Sequence, residues 1–290
     1  MKKVALITNY NITEKLAAAM KVADAIAPFV EQIMIPLAFK ERVMRSKNHR
    51  KEFLYKAPEE LYSSPELVIV LGGDGAMLDT ARRVATTGIP LIGINMGRVG
   101  YMTELETDEI DLLSKVFEGK YRIDERSMLE ASVFSKTGQK KFSEFALNEA
   151  TVTNGAAAAR IVDFQLSDGD ELIHTYRADG LVIATPTGST AYSLSAGGPI
   201  VDPKLSCFCV TPICPHSLSS KPLVFPDTST LNVKNICIRE KVLHLTLDGR
   251  ATYDLYYGDV VTIKRSPLTV KLVRIKEQSF YSKIRTNKFI

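Results

Sequence analysis

Leu67-Val68-Ile69-Val70-Leu71-Gly72-Gly73-Asp74-Gly75-Ala76-Met77-Leu78-Asp79-Thr80-Ala81-Arg82-Arg83-Val84 is the stretch that decides the fold. Leu67–Val70 is uncharged, rich in β-branched residues and as long as one buried parallel strand. Ala76–Val84 carries helix formers with apolar residues at helical spacing. The turn between them, Leu71–Gly75, holds three glycines. A strand, a glycine turn and a helix start gather unblocked backbone N–H groups where a polyphosphate can lie. Asp74 is the unusual residue there. About 4 Å from a phosphate oxygen, at an effective dielectric of about 20, its carboxylate would be repelled by roughly 4 kcal/mol. It therefore faces a hydroxyl that it can deprotonate or shares a divalent cation with the phosphates, and both point to phosphoryl transfer. The plainer reading is a turn in which Asp makes an Asx hydrogen bond and Gly supplies positive φ angles.

The composition is that of an ordinary globular protein: 290 residues, 45% hydrophobic, 24% charged, net charge +4. That charge suits small polyanions and gives no argument for nucleic acid. From Lys264 onward eight Lys or Arg face one acidic residue, Glu277, which reads as a solvated basic end. Four cysteines make no disulfide framework. Cys207, Cys209 and Cys214 read as reduced core residues of a cytoplasmic protein, with no zinc-site spacing. No segment reads as a membrane span or a signal peptide.

The first third alternates strand and helix: Val4–Thr8, a helix over Glu14–Ala27 started by Thr13, Gln32–Ile35, Leu67–Val70 and Leu91–Ile94. Such alternation specifies a Rossmann-like parallel sheet whose ligands bind beyond the carboxyl ends of the strands. Gly97-Arg98-Val99-Gly100-Tyr101 is a second glycine-bearing turn at such an end. Lys40–Glu60 is polar and basic and reads as including a surface loop. Short alternating segments split by turns begin near Arg122, for example at Lys136–Gln139 and Ser167–Asp170. The reading is an α/β domain over residues 1–124, completed by 276–290 as a terminal helix. A β-rich antiparallel domain covers 125–275.

That second domain contains Asp179-Gly180, then Thr185-Pro186-Thr187-Gly188-Ser189-Thr190-Ala191-Tyr192, then Gly197-Gly198-Pro199. Strand Leu181–Ala184 runs into a turn dense in hydroxyls and then a short helix capped by Ser189 or Thr190. This is either a second polar cradle or a tight connection whose hydroxyls cap backbone groups. Asn148-Glu149 pairs an amide with a carboxylate, which can grip two ribose hydroxyls, or is simply a turn.

Together, these motifs resemble the NAD kinases in order and spacing over nearly the whole chain. Gly-Gly-Asp-Gly alone is shared with diacylglycerol, sphingosine and 6-phosphofructo kinases; the Thr185–Tyr192 string is far more specific. The resemblance implies transfer of a phosphoryl group from ATP, or from inorganic polyphosphate, to the 2′-hydroxyl of the adenosine ribose of NAD. It implies Mg²⁺ or another divalent metal, with no direct protein ligand assigned, and a homodimer or homotetramer. Asp74 would be the catalytic carboxylate, with Gly72, Gly73 and Gly75 forming the phosphate turn and Gly75 against the ligand. Asn148 and Glu149 would hold a ribose. Thr190, Ala191, Tyr192 and Ser195 would line the adenine side. Asp179, from a neighbouring subunit, would reach the nicotinamide end, where Arg177 would help discriminate NAD from NADH. Tyr101 stands where many relatives have Phe. At Asp248-Gly249-Arg250 no role is carried over. Arg98, Arg177 and Lys221 are cations that would assist, or surface salt bridgers. The rival readings are a lipid or sugar kinase sharing the Gly-Gly-Asp-Gly turn, a non-catalytic NAD sensor, and a nucleic-acid binder resting only on the basic end.

Overall fold

The structure, a computed structural model, describes residues 1–46, 50–97, 100–154, 161–238, 242–277 and 280–286. It divides into two compact units, Met1–Glu125 with Thr269–Ile290, and Arg126–Leu268.

The first unit begins β1 (Lys3–Ile7), α1 (Thr13–Ile26), β2 (Gln32–Pro36), α2 (Lys40–Met44), β3 (Phe53–Lys56) and α3 (Pro58–Leu61). It continues β4 (Leu67–Leu71), α4 (Asp74–Val84), β5 (Leu91–Ile94) and α5 (Ser114–Phe117). All five strands pair in parallel, in the order β3-β2-β1-β4-β5. Every side chain of β4 and β5 is buried, as an uncharged run between two helix layers requires. The chain winds outward from β1 through β2 to β3, then returns to lay β4 on the other side of β1. That reversal creates a switch point at the carboxyl ends of β1 and β4, where open α/β sheets bind ligands. Thr8 Oγ1 ties the two exits by donating to the Leu71 carbonyl (2.8 Å).

Helix α1 starts at Thr13, as expected, and Ile12 occupies its cap with no side-chain bond. The Lys40–Glu60 stretch also holds α2 and β3, which its composition did not announce. A four-residue strand with Phe53 as its only fully buried side chain is too short to stand out among so many charges.

Strand β6 (Arg122–Phe134) leads into the second unit, followed by β7 (Lys140–Ala146), β8 (Glu149–Asn154), β9 (Val162–Asp168), β10 (Glu171–Ala178) and β11 (Gly180–Ala184). Helix α6 (Tyr192–Ser195) precedes β12 (Cys207–Ile213), β13 (Leu223–Pro226), β14 (Leu231–Asn235), β15 (Val242–Leu247) and β16 (Arg250–Tyr256). Strand β17 (Val260–Arg274) returns to the first unit, which α7 (Phe280–Thr286) closes. The second unit is antiparallel. One sheet runs β13-β12-β11-β8-β15-β16; in the other, β14 lies between β9 and β17. Side chains from both share one core, including Val152, Phe164, Tyr176, Ile183, Leu245 and Ile263. The hairpins at 136–139 and 168–170 fall where the turn signals placed them. All four cysteines are free; Cys207, Cys209 and Cys237 are buried. Cys214 is not a core residue: it is exposed just past β12, with φ 45°.

Candidate active site

In the first unit the glycine turn is shorter than its sequence suggests. Gly73 is the cap of α4, and Asp74 and Gly75 already lie in its first turn. Asp74 thus sits at the positive end of the helix dipole, where a carboxylate is favoured, and the first-turn amides have no acceptor within the helix. Gly72, Gly73 and Gly75 all lie outside the positive-φ region. A Cβ on Gly73 or Gly75 would meet nothing within 4 Å, whereas one on Gly72 would press on Ala76 Cβ at 2.7 Å. Strain therefore does not explain Gly73 and Gly75. What they provide is bare backbone that a ligand can approach closely.

Asp74 is held by the second loop. Its Oδ2 accepts the Tyr101 N–H (2.8 Å) and its Oδ1 the Met102 N–H (2.9 Å). A carboxylate has about four acceptor sites, so each oxygen keeps one for another partner. The same loop is gripped on its carbonyl side. Buried Arg274 donates to the carbonyls of Met102 (3.1 Å) and Thr103 (3.3 Å), and Lys283 of α7 donates to Thr103 (2.7 Å). Phe280 packs against the Tyr101 ring. The terminal segment, expected as a helix against the first domain, thereby supports the loop that fixes Asp74. A Cβ on Gly100 would overlap Asp74 Oδ1, so this position admits only glycine without moving the carboxylate. Arg98 and Val99 lie outside the described residues.

In the second unit three strand ends converge. Ala184, the last residue of β11, pairs with Glu149, the first of β8, and Leu247, the last of β15, pairs with Ala150. Asn148-Glu149, Thr185 and Asp248 are therefore brought together by the sheet. Thr185 N–H donates to the Asn148 carbonyl (2.9 Å), and its hydroxyl to the Leu147 carbonyl (2.6 Å). Glu149 is buried, and among the described residues its Oε2 finds no hydrogen-bond partner. Burial, then the negative charge of Asp248, push its pKa up to about 7, and the Tyr192 N–H opposes them. A buried carboxylate oxygen with no partner costs free energy unless a ligand satisfies it.

The hydroxyl-rich string is not the open cradle that its composition suggests. Thr185 is turned inward as described, Thr187 Oγ1 accepts from Arg126 (3.3 Å), and Ser189 Oγ donates to the Pro186 carbonyl (2.7 Å) while accepting the Val201 N–H (3.1 Å). Thr190 Oγ1 donates to the Thr187 carbonyl (3.2 Å). Neither Ser189 nor Thr190 caps α6, whose cap is Ala191 with no side-chain bond. These hydroxyls cap backbone groups because the string descends into the core, where each must find a partner. Its outward members are Tyr192 and Ser195, both exposed. Arg177 and Asp179 are exposed where β10 passes into β11. The ionic neighbour of Arg177 is Asp163, opposite it on β9 at 3.9 Å, rather than Asp179. Lys221 is exposed. Sequence reasoning assigned nothing to Asp248, whose carboxylate accepts the N–H groups of Leu147, Asn148 and Glu149.

Residues 4–121 match the ATP-NAD kinase N-terminal domain and residues 147–275 the ATP-NAD kinase C-terminal domain. The NAD kinase of Aromatoleum aromaticum is 36% identical over 97% of this chain and 92% of its own. That of Carboxydothermus hydrogenoformans is 42% identical over 76% of this chain and 78% of its own. Among solved structures, yeast NADH kinase complexed with NADH superposes with a TM-score of 0.89 and 26% identity, covering all of this chain and 87% of that one. An Archaeoglobus fulgidus NAD kinase in complex with ATP shares the fold, with a TM-score of 0.73, 24% identity and 98% coverage of both chains. Fold and motifs define a two-domain nucleotide phosphotransferase. The chain belongs to the NAD kinase family, and its activity is the phosphorylation of NAD.

Proposed function

We propose that Asp74 is the base that takes the proton of the adenosine 2′-hydroxyl of NAD as the γ-phosphoryl of ATP arrives, giving NADP. Phosphoryl transfer asks mainly for positioning and charge stabilisation. Asp74 supplies the first: two amides hold its carboxylate while each oxygen keeps an acceptor site for the hydroxyl. Gly72, Gly73 and Gly75 expose the amides that meet the donor phosphates. ATP is the proposed donor, with inorganic polyphosphate as the alternative.

Asn148 and Glu149 grip ribose hydroxyls, and the observation that carries this reading is the buried, unpartnered Glu149 Oε2. Thr190, Ala191, Tyr192 and Ser195 border the adenine, and Tyr101 is a further NAD-binding residue. Alanine at Asn148 or Glu149 should raise the Michaelis constant for NAD by about 1–3 kcal/mol in binding and leave that for ATP unchanged. A rise for ATP alone would place the pair on the donor.

The donor set fits a divalent cation carried by the nucleotide rather than one caged by protein. Among the described residues no three His, Cys, Asp or Glu cluster as a metal site, and Mg²⁺ in kinases keeps waters and takes one or two carboxylates besides phosphates. Asp74 is the residue that would share it, and the ion would neutralise phosphate charge. We further propose a cytoplasmic homodimer or homotetramer in which Asp179 serves a neighbouring subunit's nicotinamide end. No described helix is long and apolar enough to cross a membrane.

Arg177 sets the choice between NAD and NADH. A guanidinium does not attract a cationic nicotinamide ring, so it acts by shaping the pocket and through carboxylates such as Asp163. The parent should phosphorylate NAD well and NADH poorly, and Arg177→Gly should narrow the gap through faster NADH turnover. An unchanged ratio of the two rates would remove Arg177 from the site.

A further inference from the structure

Asp248 and Gly249 form the two-residue link between β15 and β16, with φ 51° and 74°. Two positive φ angles at an Asp-Gly pair are the signature of a type I′ hairpin turn. Turn formation does not account for the Asp248 carboxylate. Its Oδ2 accepts the Leu147 N–H (2.9 Å) and its Oδ1 the N–H groups of Asn148 (2.8 Å) and Glu149 (3.2 Å). Its own N–H donates to the Glu149 carbonyl (3.0 Å). One side chain thus captures three consecutive amides of a segment about a hundred residues away. Thr185 pins the carbonyls of the same segment from the other flank.

We propose that Asp248 is the positioning residue for acceptor recognition, fixing the Asn148 amide and the Glu149 carboxylate in the orientation that receives a pair of ribose hydroxyls. This rests on the reading that Asn148 and Glu149 hold ribose. Asp248 touches no substrate and acts through that pair. Its charge also bears on Glu149: Asp248 is the ionised group that raises the Glu149 pKa beside burial, and the Tyr192 N–H is the group that lowers it. The hairpin turn and the carboxylate are therefore separable. Asn-Gly and Gly-Gly make the same I′ turn as Asp-Gly, so Asp248→Asn and Asp248→Gly keep the hairpin while taking away part or all of the amide capture.

The test compares the parent, Asp248→Asn, Asp248→Gly, Glu149→Gln and the Asp248→Asn/Glu149→Gln double variant. Melting, the Michaelis constants for NAD and ATP, and a ¹³C titration of the Glu149 carboxyl are measured for each variant that retains Glu149. Asp248→Asn should raise the NAD constant about tenfold, with the ATP constant unmoved. Asp248→Gly should raise it further. The double variant should be little worse than the worse single, because the two residues act as one unit. The Glu149 titration should move down from about 7, and the pH at which NAD binding strengthens should move with it. Independent, multiplying effects of Asp248→Asn and Glu149→Gln, an unmoved Glu149 titration, or an ATP-side effect would overturn the proposal while leaving the ribose reading in place. If Glu149→Gln itself leaves the NAD constant unchanged, the ribose reading falls and the proposal with it.

Discussion

Asp74→Asn should lower the turnover of NADP formation by about two to four orders of magnitude, the contribution usual for a general base. A secondary ribose hydroxyl is a poor nucleophile at neutral pH, and an amide cannot take its proton. The structure adds a second consequence. Both carboxylate oxygens of Asp74 accept loop amides, so an Asn must turn its NH₂ toward either Tyr101 or Met102 and leave that N–H unmet, at about 1–3 kcal/mol. The fold should nonetheless persist, because Arg274 and Lys283 hold the same loop by its carbonyls. Gly100→Ala dislodges the carboxylate without removing it. The new Cβ would overlap Asp74 Oδ1 and stand 2.9 Å from its Cγ, so the side chain must rotate out of both hydrogen bonds. A comparable loss of turnover, with Asp74 still present, is the expected result, and steady-state rates beside melting curves check both variants.

Gly188→Ala should damage the second unit most sharply. A Cβ there would overlap the carbonyl carbon and oxygen of Asn148 and lie 2.7 Å from its Cα. The obstacle is backbone, so no rotamer change relieves it, and the β11 exit must move away from the β8 entry. Overpacking of this kind costs about 1–3 kcal/mol, which is roughly 2–12 °C of melting temperature for a chain of this size. On the proposed reading, in which the displaced Asn148 grips the acceptor ribose, the Michaelis constant for NAD should rise about tenfold or more while that for ATP holds. Parent-like melting together with a parent-like NAD constant would show that the contact at Gly188 does not matter.

The parallel sheet was legible because Leu67–Val70 and Leu91–Ile94 are continuous apolar runs, each followed by glycines at a strand end. Strand β3 was not, since Phe53-Leu54-Tyr55-Lys56 offers four residues in a basic stretch. Asp74 and Asn148-Glu149 could be picked out by residue type and motif, but their restraints could not. Asp74 is bound by amides 27 and 28 residues on, and Glu149 is fixed by Asp248, 99 residues away. No local pattern encodes such long-range partners. The hydroxyl string left its two readings open for a related reason: composition gives the number of donors but not the side on which they fall. At Thr185, Thr187 and Ser189 the buried exit of β11 turns them inward.

The claim that Asp74 performs chemistry, rather than merely clamping the second loop, is tested most directly by measuring NAD affinity and the single-turnover rate of NADP formation on the same preparations. Parent and Asp74→Asn are compared with saturating ATP and Mg²⁺ for the rate, and by calorimetry for the affinity. The expected result is a folded variant with most of its NAD affinity and a rate lower by about a hundredfold or more. A variant that melts like the parent and keeps more than about a tenth of its rate would contradict the account and leave Asp74 as a structural clamp.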